Sequence, residues 1–295
     1  MDAELFLGYG LVAAVAAVLG SMLGLGGGVF LVPILTLFFG VDQKVAIGAS
    51  AVAVVTNSIV GSSVHLRSRF TNLRLAMLLQ VTTAAGATAG ALFGVGADPR
   101  IVSAVFGGVL LYAAISMLIR REAKSAPSAP VAGSAALAGE LDGESAAPST
   151  LAAAFHDPAI GRDVRYRPRR LPLGLGISAG AGVISGMLGV GGGVVMVPAM
   201  NLVMAVPLKA AVGTSAFMVG ITSVATAFVF YSQGEINPTV VVPAIIGVFV
   251  GGQFGSRLTR RLRVQRLAAV FSVLLFYLGL SLLLQAFGVT LPGQR

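Results

Sequence analysis

The chain reads as an all-α integral membrane protein made of two inverted-topology repeats. Each repeat is a glycine-broken, re-entrant-like hairpin followed by three spanning helices, up to 10 helical segments in all. Three observations lead there. The 295 residues are 56% hydrophobic and only 11% charged, whereas soluble domains carry roughly 25% charged residues, so the solvent must be lipid. Residues 22–112 return as 187–277 without a gap: Gly24 and Gly189, Lys44 and Lys209, Gly48 and Gly213, Asn72 and Asn237, and Tyr112 and Tyr277 are each 165 apart. A period this long exceeds the roughly 20 to 50 residues of a solenoid unit and describes a duplicated half-protein. Finally, the first apolar stretch of each copy is interrupted by a run of glycines.

The elements follow in order from the uncharged runs 5–41, 45–64, 75–97, 101–119, 171–208, 210–234, 236–256 and 267–294. Most of them approach or exceed the roughly 20 residues a spanning helix needs. Gly24–Gly28 breaks the first run and Gly189–Gly193 breaks the fifth, because glycine weakens a helix and leaves backbone groups free. The piece after the first break, 29–40, is about 18 Å long at 1.5 Å per residue, too short for about 30 Å of hydrocarbon. Each broken run is therefore predicted to be a bent hairpin. Repeat one occupies 1–120, repeat two 171–295, and a linker 121–170 joins them. The linker is rich in Ala, Ser, Gly and Pro up to Thr150 and is expected to be partly disordered. Its arginines 162, 165, 167, 169 and 170 border the next membrane segment and suit anionic headgroups.

Charge predicts orientation. Basic residues collect at Arg67–Arg74, in the linker, and at Arg257–Arg266, and the positive-inside rule places all three clusters in the cytoplasm. With each hairpin counted as an even number of crossings, both termini fall outside, the linker inside, and the second repeat is upside down relative to the first. No cleaved signal is expected, since Asp2 and Glu4 precede the first apolar run and no Lys or Arg comes before Lys44. The net charge of +9 resides in loops without interleaved aromatics, which is an orientation signal and not a nucleic-acid surface.

The chemistry left inside the membrane is narrow. Cysteine is absent, which excludes disulfides, thiol catalysis and thiolate metal sites. All 11 acidic residues (Asp2, Glu4, Asp42, Asp98, Glu122, Glu140, Asp142, Glu144, Asp157, Asp163 and Glu235) lie at the N-terminus or in loops. A carboxylate proton relay, a charged cation pocket, a metal centre and acid–base catalysis are thereby disfavoured, and no enzyme activity or cofactor is expected. Backbone dipoles, hydroxyls and amides remain, and these favour a small anion. Free N–H groups at Gly24, Gly26, Gly27 and Gly28, and at Gly189, Gly191, Gly192 and Gly193, precede a new helix whose positive end can face a negative ligand. Pro33 and Pro198 close the same motif. Ser50, Asn57, Ser58, Thr214, Ser215, Thr222 and Ser223 supply hydrogen bonds around it. Inversion would bring the two breaks together near the midplane.

Other readings of these residues stay open. Gly, Ser and Thr also serve close helix packing. Gly86, Gly90 and Gly94, like Gly247, Gly251 and Gly255, suit contact between the repeats or a homodimer. Neither break is a dinucleotide fingerprint, because Val29 and Val194 stand where a third glycine belongs. His65 is either a gate or incidental. Lys44 and Lys209 are read as ending the short half-helices, where a cation is favourable.

The duplicated G-x-G-G-G-x-x-x-V-P element at Gly24–Pro33 and Gly189–Pro198, with Gly48-Ala49-Ser50 and Gly213-Thr214-Ser215 after it, resembles the TauE/SafE family of sulfite exporters in both halves of the chain. The resemblance implies a bacterial inner-membrane permease that moves sulfite or related organosulfur anions such as sulfoacetate or thiosulfate, usually outward. The transport expected is alternating access around a midplane site. A permease or channel for another small anion, and a non-transporting membrane scaffold, are the alternatives.

Overall fold

The computed structural model describes residues 3–23, 26–67, 71–123, 151–157, 162–258 and 264–288. Among them are ten α-helices: α1 (Ala3–Leu23), α2 (Gly28–Phe39), α3 (Gln43–Arg67), α4 (Leu73–Gly96), α5 (Pro99–Ala123), α6 (Leu171–Leu188), α7 (Gly193–Pro198), α8 (Leu208–Ser232), α9 (Pro238–Leu258) and α10 (Val264–Ala286). A short π-helical turn, Ala199–Val203, continues α7. Seven of the helices are long and apolar enough to cross a membrane: α1, α3, α4, α5, α6, α8 and α9.

The glycine breaks fall where the sequence places them. Gly27 precedes α2 with φ +85°, and Gly192 precedes α7 with φ +75°. Both conformations are left-handed, which costs a side chain about 1 kcal/mol or more but costs glycine nothing steric. At its other end α2 stops at Gly40 (φ +62°), and Val41 N–H donates to the Leu35 carbonyl at 3.1 Å. The second copy closes identically through Ala205 (φ +54°), with Val206 N–H donating to Met200 O at 2.9 Å. The half-helices therefore end at Phe39 and Val203, and Lys44 and Lys209 belong to the first turns of α3 and α8. That corrects the expected role of the two lysines, which sit at positive rather than negative helix ends.

Small residues set the packing between the halves. A Cβ built on Gly86 would lie 2.3 Å from Ala179 O, one on Gly90 2.0 Å from Val183 O, and one on Gly94 3.0 Å from Met187 Cα, so α4 and α6 run parallel in backbone contact. Gly247, Gly251 and Gly255 approach Gly10, Ala14 and Val18 in the same way, which makes α1 and α9 a second parallel pair. Both glycine triplets are thus occupied inside the chain. Two further pairs run antiparallel. In the α3–α8 pair Gly48 abuts Phe230 while Ser58 abuts Gly220; in the α5–α10 pair Gly107 abuts Leu283 while Leu110 abuts Gly279. Every one of these four contacts joins a helix of 1–120 to a helix of 171–295, so the principal helix packing runs between the halves.

The linker holds an element that the sequence reading did not assign. Strands β1 (Ala153–Asp157) and β2 (Arg162–Tyr166) form an antiparallel hairpin with Phe155 opposite Val164 and Ala153 opposite Tyr166. Its apolar face joins Leu75, Leu79, Met196, Met200, Met204 and Met218 in a buried cluster. Methionine is unbranched and adapts to such an irregular contact. Asn72 fastens the hairpin: its Oδ1 caps α4 by accepting from Leu75 N–H at 3.1 Å, and its Nδ2 donates to Leu151 O at 3.0 Å. Burial raises the Tyr166 phenol above the usual tyrosine value, while a hydrogen bond with Asn72 acts in the opposite direction. The stretch 124–150 and His65's side chain lie outside what the structure describes.

Candidate functional site

The two breaks touch. A Cβ added to Gly28 would meet Ser50 Oγ at 2.6 Å and the Gly189 carbonyl oxygen at 2.9 Å, and one on Gly26 would lie 3.6 Å from Val190 O. Gly26 and Gly191 also share the same two neighbours, Val54 and Val219, which are themselves 165 apart. The breaks therefore lie on either side of a single centre between α3 and α8. Gly24 is outside the described residues, whereas Gly26, Gly27, Gly28, Gly189, Gly191, Gly192 and Gly193 all line this contact or stand next to it. Pro33 and Pro198 are buried within the short helices. Each lacks the N–H that would bond a carbonyl one turn earlier.

The polar side chains divide into two sets. Ser50 donates to Gly189 O at 3.0 Å, Ser58 to Ala216 O at 2.5 Å, and Thr214 Oγ1 accepts from Asn72 N–H at 3.1 Å. These three bonds stitch the halves together. The second set is buried and without a partner: Asn57 Oδ1, Ser215 Oγ and Ser223 Oγ. Ser223 Oγ would be 2.9 Å from a Cβ on Gly191, and Asn57 Nδ2 3.5 Å from one on Gly27, so both side chains stand beside the breaks. Buried polar atoms nearly always find a partner, and the unpartnered groups of Asn57 and Ser223 beside the breaks make this centre the candidate site.

Two contributors went unnoticed in the sequence. Ser185 Oγ, also unpartnered, packs on Gly192; its repeat equivalent is Gly20, so the symmetry of the duplication hides it. Gln80 on α4 donates Nε2 to Thr222 Oγ1 at 3.1 Å, and its equivalent is Ile245, so no duplicated motif marks it. A cavity of about 310 Å³ lined by Thr36, Asp42, Gln43, Arg100 and Ser103 lies at the far end of α2, separated from the breaks by the length of that helix.

The two hydroxyl classes predict opposite responses. Ser50→Ala removes a made hydrogen bond and should cost about 1 kcal/mol of stability with or without ligand. Ser215→Ala deletes an unpaired hydroxyl and should leave the unliganded protein as stable or more so, while weakening anion binding several-fold. Thermal unfolding in detergent with and without sulfite separates them; equal losses for both in the absence of ligand would contradict the division.

Seven apolar spans, paired helix breaks and an uncharged polar centre define a multi-pass membrane transporter. A sequence profile of the sulfite exporter TauE/SafE family matches residues 9–282, and the chain belongs to that family. It is 24% identical over 276 residues to the probable membrane transporter protein YunE of Bacillus subtilis, covering 91% of this chain and 94% of that protein. Similarity to the probable membrane transporter protein MJ0441 of Methanocaldococcus jannaschii is also 24%, over 290 residues covering 93% and 94% of the two chains. The probable membrane transporter protein MamO of Magnetospirillum gryphiswaldense is 27% identical over 297 residues, 94% of this chain but 44% of the longer relative. No solved structure matches the chain.

Proposed function

We propose that the protein carries sulfite or a related small organosulfur oxyanion across the bacterial inner membrane, normally outward, by alternating access around the paired glycine breaks. The observation that carries this reading is the meeting of the two breaks, Gly28 against Gly189, beside orphaned buried groups of Asn57 and Ser223. Backbone N–H groups at a helix start attract an anion without a buried cation, and the acidic residues all stand at helix ends, between helices or in the linker and its hairpin. The same groups would accept another small anion. Proteoliposome flux with sulfite, thiosulfate, sulfoacetate and sulfate decides the cargo, and no flux of any of the four would overturn the reading.

The proposed architecture is a pair of inverted repeats with both termini outside and the linker cytoplasmic. Antiparallel pairing of α3 with α8 and of α5 with α10, helices at equivalent repeat positions, supports it, because an axis in the membrane plane reverses each helix relative to its mate. Cysteines at Ser128 and Thr259 on the cysteine-free background should both be protected from a membrane-impermeant thiol reagent in intact cells. Labelling of either from outside would sink the inverted arrangement.

The linker acts, in this reading, at its hairpin and not along its whole length. Deleting 125–150 while keeping Leu151–Arg170 should hold flux within a few-fold of wild type, since that keeps Leu151, whose carbonyl accepts from Asn72 at the start of α4. A normally inserted deletion with no flux would assign that stretch a role.

A further inference from the structure

Gln80 bears on which form of the anion is carried, on the reading of the glycine breaks as an oxyanion site. Thr222 donates its hydroxyl proton to Met218 O at 2.9 Å, so its oxygen is left to accept, and the Gln80 group donating to it at 3.1 Å must be the Nε2 amide. That bond fixes the orientation of the amide. Its other end, Oε1, is buried, has no partner and can only accept. Gln80 is 7% exposed. Thr222 holds the repeat position of Asn57, whose amide stands 3.5 Å from a Cβ built on Gly27, and the duplication thereby sets Thr222 and the Gln80 amide bonded to it on the side of the second break.

The preceding helix of the same half offers the same chemistry. Asn57 occupies the repeat position of Thr222; it is 2% exposed, and its Oδ1 is likewise an orphaned acceptor. The first half therefore supplies both amides, Asn57 from α3 and Gln80 from α4. A fully deprotonated oxyanion has only lone pairs to present and is repelled by both amide oxygens. An anion that keeps one O–H can donate to an amide oxygen while its charged oxygens take the backbone N–H groups and hydroxyls. Its single charge also asks less of partial dipoles in a setting that lacks a paired cation.

We propose that the site selects the singly protonated monoanion, hydrogensulfite rather than the sulfite dianion, and that Gln80 Oε1 reads the proton. Gln80 is then a specificity-determining residue, and Asn57 Oδ1 is a second buried acceptor.

The test is binding to purified protein in detergent, with sulfite beside methanesulfonate, a monoanion that has no acidic proton, across the pH range in which hydrogensulfite gives way to the dianion. Wild-type affinity for total sulfite should fall with rising pH by about tenfold per unit once past the hydrogensulfite pKa, the slope of one-proton linkage. Methanesulfonate should bind more weakly and without that slope. Gln80→Met, close in shape, should lower sulfite affinity about fivefold or more, the scale of one lost hydrogen bond, and leave methanesulfonate within about twofold of wild type. Sulfite affinity that rises with pH, equal effects of Gln80→Met on both anions, or a sodium requirement abolished by that variant would overturn the proposal. If Gln80→Met does not fold, the wild-type pH profile decides alone. If wild-type protein binds neither anion, the oxyanion-site reading fails and takes this proposal with it; if it binds both without regard to the proton, only this proposal falls.

Discussion

Alanine at Gly90 or Gly251 should sharply lower the amount and thermal stability of correctly assembled protein, with the larger loss when both are changed. A Cβ on Gly90 would sit 2.0 Å from Val183 O and 2.7 Å from Val183 Cα; one on Gly251 would sit 2.1 Å from Ala14 O and 2.8 Å from Ala14 Cα. The obstructing atoms are backbone, so no rotamer change relieves them, and each helix pair must separate or slide. Overpacking of this kind costs roughly 1–3 kcal/mol per site, occasionally more, against a total stability of about 5–15 kcal/mol. The loss has a second part. Because α4 leans on α6 and α1 on α9, separating either pair uncouples the two halves instead of loosening one of them. Size-exclusion profile and thermal unfolding in detergent measure the outcome. Gly108→Ala is the control, since a Cβ there meets nothing within 4 Å. Monodisperse, wild-type-stable Gly90→Ala protein would show that these contacts adapt more freely than their geometry allows.

The ease with which the sequence yields the fold follows from what a bilayer demands. Helices must satisfy their own backbone bonds there, so apolar runs report span positions almost directly, and α3, α4, α5, α8 and α9 all lie within a few residues of the uncharged runs. The glycine breaks were equally legible, because a duplicated Gly-x-Gly-Gly-Gly is a positional signal independent of packing. Packing partners were less so: Gly86–Gly94 announces a close contact, but nothing in it says that α6 provides the partner.

Two features escaped for identifiable reasons. The hairpin at Ala153–Tyr166 consists of two five-residue strands in a segment dominated by arginine and alanine, and its order comes from the methionine-rich surface beneath it, which is tertiary information. Gln80 and Ser185 escaped because the duplication was the guide. A residue present in one copy alone breaks the repeat and looks incidental, yet a site that has to distinguish substrates can be asymmetric at just such positions. Lys44 and Lys209 show the complementary error. The repeat marks them as paired, but each half-helix is closed four residues earlier, by glycine or alanine in a left-handed conformation, and the lysines begin the following helices.

Gly27→Ala and Gly192→Ala should lose anion binding more than they lose stability, which is the reverse of the pattern expected at Gly90. At Gly27 the new Cβ would lie 3.3 Å from Ala16 O and at Gly192 3.3 Å from Ser185 Cβ. These contacts are tight but not prohibitive, so the main obstacle is the backbone, held at φ +85° and +75°. A left-handed alanine costs roughly 1–2 kcal/mol. The chain can avoid that cost by rotating the peptides at the break, and the rotation turns aside the N–H groups proposed to hold the anion. Affinity for sulfite should then fall about tenfold or more for each variant, since hydrogen bonds to a charged partner are worth about 1.5–3 kcal/mol, while the unfolding temperature without ligand drops only modestly. Isothermal titration paired with thermal unfolding separates the two quantities. If the double variant binds sulfite like wild type but unfolds much earlier, the breaks are packing devices, and the anion must be held elsewhere in the bundle.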